Sequence, residues 1–267
     1  MSGQGWSLDR ASAFLGSPGP VARRILGAAG VTVDGAGDYQ AVDVAACSES
    51  MRLRDWWGRR DWTSDYQREG FTLLRGQVDP DTLFRIVEAS YRAASVADGG
   101  HAEVVYGDSG KIVRINGLER DPAVLPIVRT MRLETVAAGL IDAPVLYRVS
   151  LVRRGHGNPP ELGAHRDPRW TTRRSCDPVC AFGMTLDGST GEPGDVYYQP
   201  GTHRLGPGSK AAPAIRSPDS EVLPVTSPGD VVLHNLGVIH GAGRYVRRRD
   251  RTTLYCSFAS QKELSAR

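Results

Sequence analysis

The stretch Gly163-Ala164-His165-Arg166-Asp167 sets two metal-binding side chains two residues apart. On a strand, residues i and i+2 project from the same face, so His165 and Asp167 point the same way. Further on comes Ser227-Pro228-Gly229-Asp230, followed by His240 and Arg251. His240 lies 75 residues after His165, and Arg251 lies 11 after His240. Two imidazoles and one carboxylate on one face of a metal form the facial triad of non-haem Fe(II) oxygenases, which keeps coordination positions open for chemistry. Such a triad requires a fold that brings distant strand ends together.

The residues around these stretches fit such a fold. Runs at Val145–Val152, Ala181–Leu186, Asp195–Gln199, Val222–Thr226, Asp230–His234 and Thr252–Phe258 read as short strands. Gly188, Gly194, Pro200-Gly201 and Pro228-Gly229 punctuate them as turns, a spacing that predicts a sandwich or barrel. Ahead of them, Phe71–Arg75 reads as a strand. Asp79-Pro80 then supplies an N-cap and a proline at the first helical position. Leu83, Phe84, Val87 and Tyr91 follow at helical spacing as core-facing residues. Ser64 with Gln67 reads as a capping box, and Asp121-Pro122 opens a helical region to about Leu140, interrupted at Pro126. Residues 1–62 read as a helical and loop-broken extension, with helices at 20–29 and 48–60, and residues 63–267 as the main domain. Packing on the core, covering a sheet or forming a homodimer contact are the default roles for the extension.

Composition narrows the function classes. The chain has 267 residues, enough for one large β domain with helical additions. Its 31 Gly and 17 Pro favour many short strands over long helices. A net charge of +3 lacks the surplus expected of a nucleic-acid binder. Only Lys111, Lys210 and Lys262 among the basic residues are lysine, which points to a GC-rich genome. Four scattered cysteines, Cys47, Cys176, Cys180 and Cys256, do not make a disulfide scaffold and suit reduced thiols in a cytoplasm. No signal peptide and no membrane-spanning apolar run is visible, so a soluble cytoplasmic protein without nucleic-acid or membrane partners is expected.

For the third metal ligand the sequence offers His203, His234 and His240. His203 follows a Pro-Gly turn, His234 lies in the strand opened by Asp230, and His240 precedes Gly241. His101 and His156 lie outside these motifs. On the last strand, Arg251, Thr253, Tyr255 and Ser257 share one face, with Arg249 as a competitor on the same alternation.

Several motifs in fixed order carry a family resemblance. These are Glu69-Gly70-Phe71 leading into Asp79-Pro80, His165-Arg166-Asp167, Gly194-Asp195 through Pro200-Gly201-Thr202-His203, and Ser227-Pro228-Gly229-Asp230 through His240-Gly241 to Arg251. Over about residues 64–260 the chain resembles the phytanoyl-CoA dioxygenase family. The resemblance implies a mainly β fold, a double-stranded β-helix (jelly-roll) with helices packed on one sheet. It implies Fe(II), 2-oxoglutarate and O₂, with His165, Asp167 and His240 as catalytic metal ligands. Arg251 would hold the distal carboxylate of the cosubstrate, with Thr253 on the same face, and Lys111 would contact 2-oxoglutarate from an earlier segment that also holds Arg114. An oxidant formed at iron would then attack an unactivated C–H bond of a small-molecule natural product, giving hydroxylation, carbocyclisation or epimerisation in antibiotic-type metabolism. The carboxylate Asp167 argues against halogenation, whose enzymes lack it. Trp170, Tyr197 and Arg169 are candidates for the mouth of the site. Thr202, where serine is usual, and Ala242, where a hydroxyl residue is frequent, depart from the pattern. The alternative is a non-catalytic or isomerase-type jelly-roll that binds a metal or ligand.

Overall fold

The computed structural model describes residues 31–33, 39–41, 61–95, 100–155, 162–167, 179–192, 194–205, 221–243 and 250–265. The chain divides into two compact units, Met1–Leu53 and Arg54–Arg267. In the first, strand β1 (Val31–Val33) pairs antiparallel with β2 (Tyr39–Ala41). The sequence reading has no strands there, although Val-Thr-Val is a β-branched run that suits one. The helices expected at 20–29 and 48–60 lie outside the described residues.

The second unit is built on two antiparallel sheets. The large one has seven strands in the order β3 (Phe71–Leu74), β10 (Val231–Asn235), β8 (Val179–Thr185), β12 (Arg251–Ser260), β6 (Pro144–Arg154), β5 (Ile112–Asn116) and β4 (Glu103–Tyr106). The small one has β7 (Leu162–His165), β11 (Ile239–Ala242) and β9 (Val196–Gln199). Tyr198 of the small sheet stacks on Phe71 of the large one, ring centroids 4.9 Å apart, and joins Phe71, Leu73, Val232 and Val238 in one apolar cluster. The two sheets therefore close on each other, as a double-stranded β-helix requires.

Alternation on the central strands decides what faces the small sheet. Leu254, Cys256 and Phe258 point to the outer face, opposite Leu151, Val149, Met184 and Phe182, all essentially without exposure. The Phe182 and Phe258 rings meet edge to face at 5.4 Å, an arrangement worth about 0.5–1.5 kcal/mol beyond its buried area. The residues between them, Arg251, Thr253, Tyr255 and Ser257, face inward. Helix α1 (Trp62–Glu69) and helix α2 (Pro80–Ala94) flank β3 in sequence, followed by α3 (Leu125–Thr130) and α4 (Leu133–Ala137), and α5 (Gln261–Ser265) closes the described chain.

Several local expectations shift. Asp79 caps α2 as expected, its Oδ2 accepting from Thr82 N–H at 3.0 Å. Leu83 and Val87 are buried, Phe84 and Tyr91 only half so, and Ile86 completes the buried stripe. Helix α1, by contrast, starts before Ser64: Asp61 accepts from Thr63 N–H at 3.1 Å and from the Ser64 hydroxyl at 2.9 Å. A carboxylate outcompetes a hydroxyl for the free amides of a first turn, where it also meets the helix dipole. Pro126 does not break the helical region; it stands in the first turn of α3, where its missing N–H costs nothing. The break falls at Arg132, whose φ is +54°. The strand expected at Val222–Thr226 reduces to two isolated bridges, Tyr198 with Val222 and Ser189 with Thr226, and Pro224 between them has no amide to donate.

Candidate metal centre and cosubstrate recess

The small sheet builds the site. His165 ends β7 and is the direct cross-strand partner of His240 on β11, whose other neighbour is Tyr198 on β9. The two imidazole centroids lie 4.4 Å apart. Asp167 follows β7 and is docked by its backbone N–H on the Leu236 carbonyl at 3.1 Å. One ligand atom from each of His165, Asp167 and His240 falls within 4.8 Å of the others. Gly241, next to His240, admits no side chain: a Cβ there would lie 2.5 Å from the Tyr197 hydroxyl and 2.8 Å from the Leu162 carbonyl.

Both imidazoles are oriented by their own strands. His165 Nδ1 is 2.9 Å from the Gly163 carbonyl, and His240 Nδ1 is 3.0 Å from the Val238 carbonyl. A carbonyl only accepts, so each Nδ1 carries the proton and each Nε2 keeps its lone pair. Burial pushes His240 down to about 4; Asp167 pulls the other way and the neighbouring His234 and His165 add to the fall. Burial on its own would raise Asp167. The facing His234 imidazole and the neighbouring His240 and His165 outweigh it and hold the carboxyl well below its ordinary value. Two neutral nitrogen donors and one carboxylate, converging within a few ångströms, fit a divalent iron.

The depressed value at His240 makes the metal-free protein acid-sensitive. An unfolded chain takes up this proton near pH 6.5 and the folded one near 4. The stability it contributes is therefore full above about pH 6.5 and lost as pH falls through about 4. Asp167, also depressed, acts in the same direction below its own ordinary range. Urea unfolding of metal-free protein is expected to show a loss of about 3 kcal/mol between pH 7.5 and 4. His240→Gln should lack that share, and a flat profile would contradict the assignment.

Beside the imidazoles lies a recess of about 370 Å³, its mouth included, lined among others by Thr185, Tyr198, Thr226, Arg251, Thr253 and Tyr255. Arg251 is 5% exposed. Its Nη1 donates to the Gly194 carbonyl at 2.8 Å and lies 3.3 Å from Asp195 Oδ1, while Nε has no hydrogen-bond partner. Asp195 is fixed in turn by the amides of Thr190, Gly191 and Glu192 on its Oδ2, at 3.0, 3.0 and 3.3 Å. Thr253 exchanges a hydroxyl contact with Thr185 at 3.3 Å. Burial raises both Tyr198 and Tyr255, so their phenols stay protonated donors. An anchored guanidinium and neutral hydroxyls in one lining suit a carboxylate group.

The other candidates fall elsewhere. Lys111 is exposed in the β4–β5 turn, its carbonyl accepting from Gly107 N–H at 2.9 Å. Arg114, three residues on, pairs opposite Val152, itself opposite Thr253, and so shares the inner face. Its charge acts on Tyr255. His203 lies against Gly70, its Nε2 3.1 Å from the Gln67 carbonyl. His101 is exposed. Arg169, Trp170, His156 and Arg249 lie outside the described residues. Asp195 and Tyr198 carry roles that the sequence reading did not give them; it placed both in the strand Asp195–Gln199.

Thr202 ties the turn after β9 to the start of β11. Its Oγ1 donates to the Gln199 carbonyl at 2.7 Å and accepts from Ile239 N–H at 2.8 Å, one residue before His240. Arg166, projecting away from His165 and Asp167, donates to the Thr202 carbonyl at 3.1 Å. Thr202→Val is expected to cost about 1–3 kcal/mol by stranding two buried backbone groups, and Thr202→Ser under about 1 kcal/mol. Denaturant midpoints of the two variants measure the difference.

Comparison with known proteins bears on the fold and the family. The chain aligns with EvdMO1 at 23% identity over 75% of its length, TM-score 0.61, and spans about half (49%) of that protein. It aligns with AviO1 from Streptomyces viridochromogenes at 24% identity, covering 76% of this chain and 96% of that one, TM-score 0.60. The non-haem α-ketoglutarate-dependent carbocyclase SnoK from nogalamycin biosynthesis matches at 15% identity, covering 74% and 83%, TM-score 0.59. At such identities these likenesses speak for the fold. No curated protein sequence matches. The family model for phytanoyl-CoA dioxygenase matches residues 66–252, which takes in both imidazoles, the carboxylate and Arg251. The chain belongs to the phytanoyl-CoA dioxygenase family of non-haem iron, 2-oxoglutarate-dependent oxygenases.

Proposed function

We propose that His165, Asp167 and His240 hold Fe(II), that Arg251 and Thr253 receive the distal carboxylate of 2-oxoglutarate, and that the enzyme acts on an unactivated C–H bond of a small-molecule natural product. The observation that carries the metal assignment is the convergence of the three ligand atoms within 4.8 Å, with both Nδ1 atoms already committed to carbonyls. Bound iron, with 2-oxoglutarate and O₂, supplies the oxidising equivalents that remove a substrate hydrogen, with succinate and CO₂ as coproducts. The chain's own part is placement. Arg251, braced by Asp195, orients the cosubstrate; Tyr198 and Tyr255 offer protonated hydroxyls; Arg114 adds positive charge on the β5 side of the inner face. Which carbon faces the site decides the product.

Natural-product tailoring is supported by the likeness to SnoK, a carbocyclase from nogalamycin biosynthesis. Hydroxylation, carbocyclisation and epimerisation remain the three outcomes of the same first step, and Asp167 speaks against halogenation. We place the enzyme in the cytoplasm, where the buried free thiols Cys180 and Cys256 stay reduced. No helix among the described residues is long and apolar enough to cross a membrane. Anaerobic addition of Fe(II) and 2-oxoglutarate is expected to give a weak visible charge-transfer band, and a panel of candidate substrates to stimulate succinate release. Product mass then assigns the reaction: gain of one oxygen, loss of two hydrogens, or no change. Absence of the band in the wild-type protein would reject the assignment.

A further inference from the structure

One imidazole beside the metal group is left over by this ligand assignment. His234 stands on β10 in the large sheet, 1% exposed, between Phe71 of β3 and Ala181 of β8. Its ring lies 5.0 Å from that of His240 and 5.4 Å from that of Tyr198, centroid to centroid. An apolar ring would fill such a position without desolvating two nitrogens, so the polar one needs a reason. Nδ1 has no hydrogen-bond partner. Nε2 faces Oδ2 of Asp167 at 3.5 Å. That contact is longer than a made charge-assisted bond of about 2.7–2.9 Å, and its geometry falls short of a hydrogen bond.

Asp167 depends on this strand twice. It lies past the end of β7, and its backbone N–H is bonded to the carbonyl of Leu236, two residues beyond His234. Main chain and carboxylate are therefore both referred to the end of β10. Because a carboxylate oxygen only accepts, the facing nitrogen must donate, and Nδ1, buried without a partner, keeps the lone pair. The ring is a neutral donor facing one oxygen, Oδ2, of the Asp167 carboxylate.

We propose that His234 is a positioning residue. Through Nε2–H it holds Oδ2 of Asp167, presents the other carboxylate oxygen to the metal, and stops the carboxylate from occupying two coordination positions. The inference rests on the metal reading above and gives His234 a role that none of the ligands supplies.

The test uses the full chain and three substitutions. His234→Gln places an amide N–H where Nε2 was; His234→Leu keeps volume without a donor; His234→Asn has an amide too short to reach Asp167. Fe(II) is titrated anaerobically in the presence of 2-oxoglutarate, with affinity and band position read from the visible absorption. The thermal midpoint of the metal-free protein is measured alongside. Leu and Asn are expected to weaken Fe(II) binding by about 10–100-fold and to move the band. Gln should recover affinity to within about threefold, less than 1 kcal/mol. The metal-free midpoint of at least one weak variant should match that of wild type. Leu and Asn binding as wild type would overturn the proposal, and so would Gln binding as weakly as Leu, since ring volume would then be what matters. Should Leu not fold, the comparison of Gln with Asn decides. His165→Ala separates the two levels: if it loses the band while Leu and Asn keep wild-type affinity, only the role of His234 falls. If wild type gives no band, the metal reading falls with it.

Discussion

Asp167→Asn is expected to abolish the Fe(II)–2-oxoglutarate band and all substrate-stimulated succinate release. The change keeps the shape of the side chain and removes its charge. What remains for the ion is a pair of neutral imidazoles, His165 and His240, in a setting where His240 is already driven down by burial. Losing an outer-sphere partner of a ligand typically costs 10–100-fold in metal affinity, and loss of the only anionic ligand must exceed that. A fall of more than about a hundredfold, or about 2.7 kcal/mol, is therefore anticipated. The metal-free fold should persist, because the backbone bond from residue 167 to the Leu236 carbonyl does not involve the side chain. An asparagine variant that binds Fe(II) like wild type would remove Asp167 from the ligand set.

Arg251→Gln should act on the cosubstrate and leave the ion alone. The guanidinium is almost fully buried, with one nitrogen tied to Gly194 and Asp195 and Nε without a partner. Truncating one member of a buried charge pair costs about 2–5 kcal/mol, so 2-oxoglutarate affinity is expected to fall by roughly two to three orders of magnitude. Arg251→Lys should recover only part of this, since an ammonium restores the charge without the planar fork. Fe(II) affinity measured without cosubstrate should change little. Asp195 keeps three backbone donors in either variant, which limits the damage to the fold. Titrations of 2-oxoglutarate into Fe(II)-loaded protein read the effect directly. Unchanged affinity in Arg251→Gln would transfer the carboxylate to another cation, and Arg114 would be the first to examine.

Much of this architecture could be read from residue order, where local chemistry and tertiary pairing agree. Phe71–Leu74, the Asp79-Pro80 helix start and the long strand ending at Ser260 announce themselves by alternation and capping. β7 and β11 do not. Each has four residues, with no alternating pattern, and each exists because it pairs with the other. The ambiguity between His234 and His240 has the same origin. Both follow the Asp230 turn and both are buried, but His240 pairs across from His165 while His234 pairs with Phe71 and Ala181 in the opposite sheet. Only the pairing separates them. Lys111 and Arg114 illustrate parity: three residues apart, one falls in a turn and the other on the inner face. The cap at Asp61 in place of Ser64 is a contest between two acceptors that sequence spacing alone did not rank.

The edge position of β7 bears on how the molecule breathes. Among the described residues this strand has one neighbour, β11, and its other side meets no strand of its sheet. With His165 at its end and His240 directly opposite, an ion gripped by both would act as a rivet through the least supported seam of the barrel. Loading and release of the metal would then be coupled to local fraying, and iron starvation would loosen first the part of the enzyme that has no use without it.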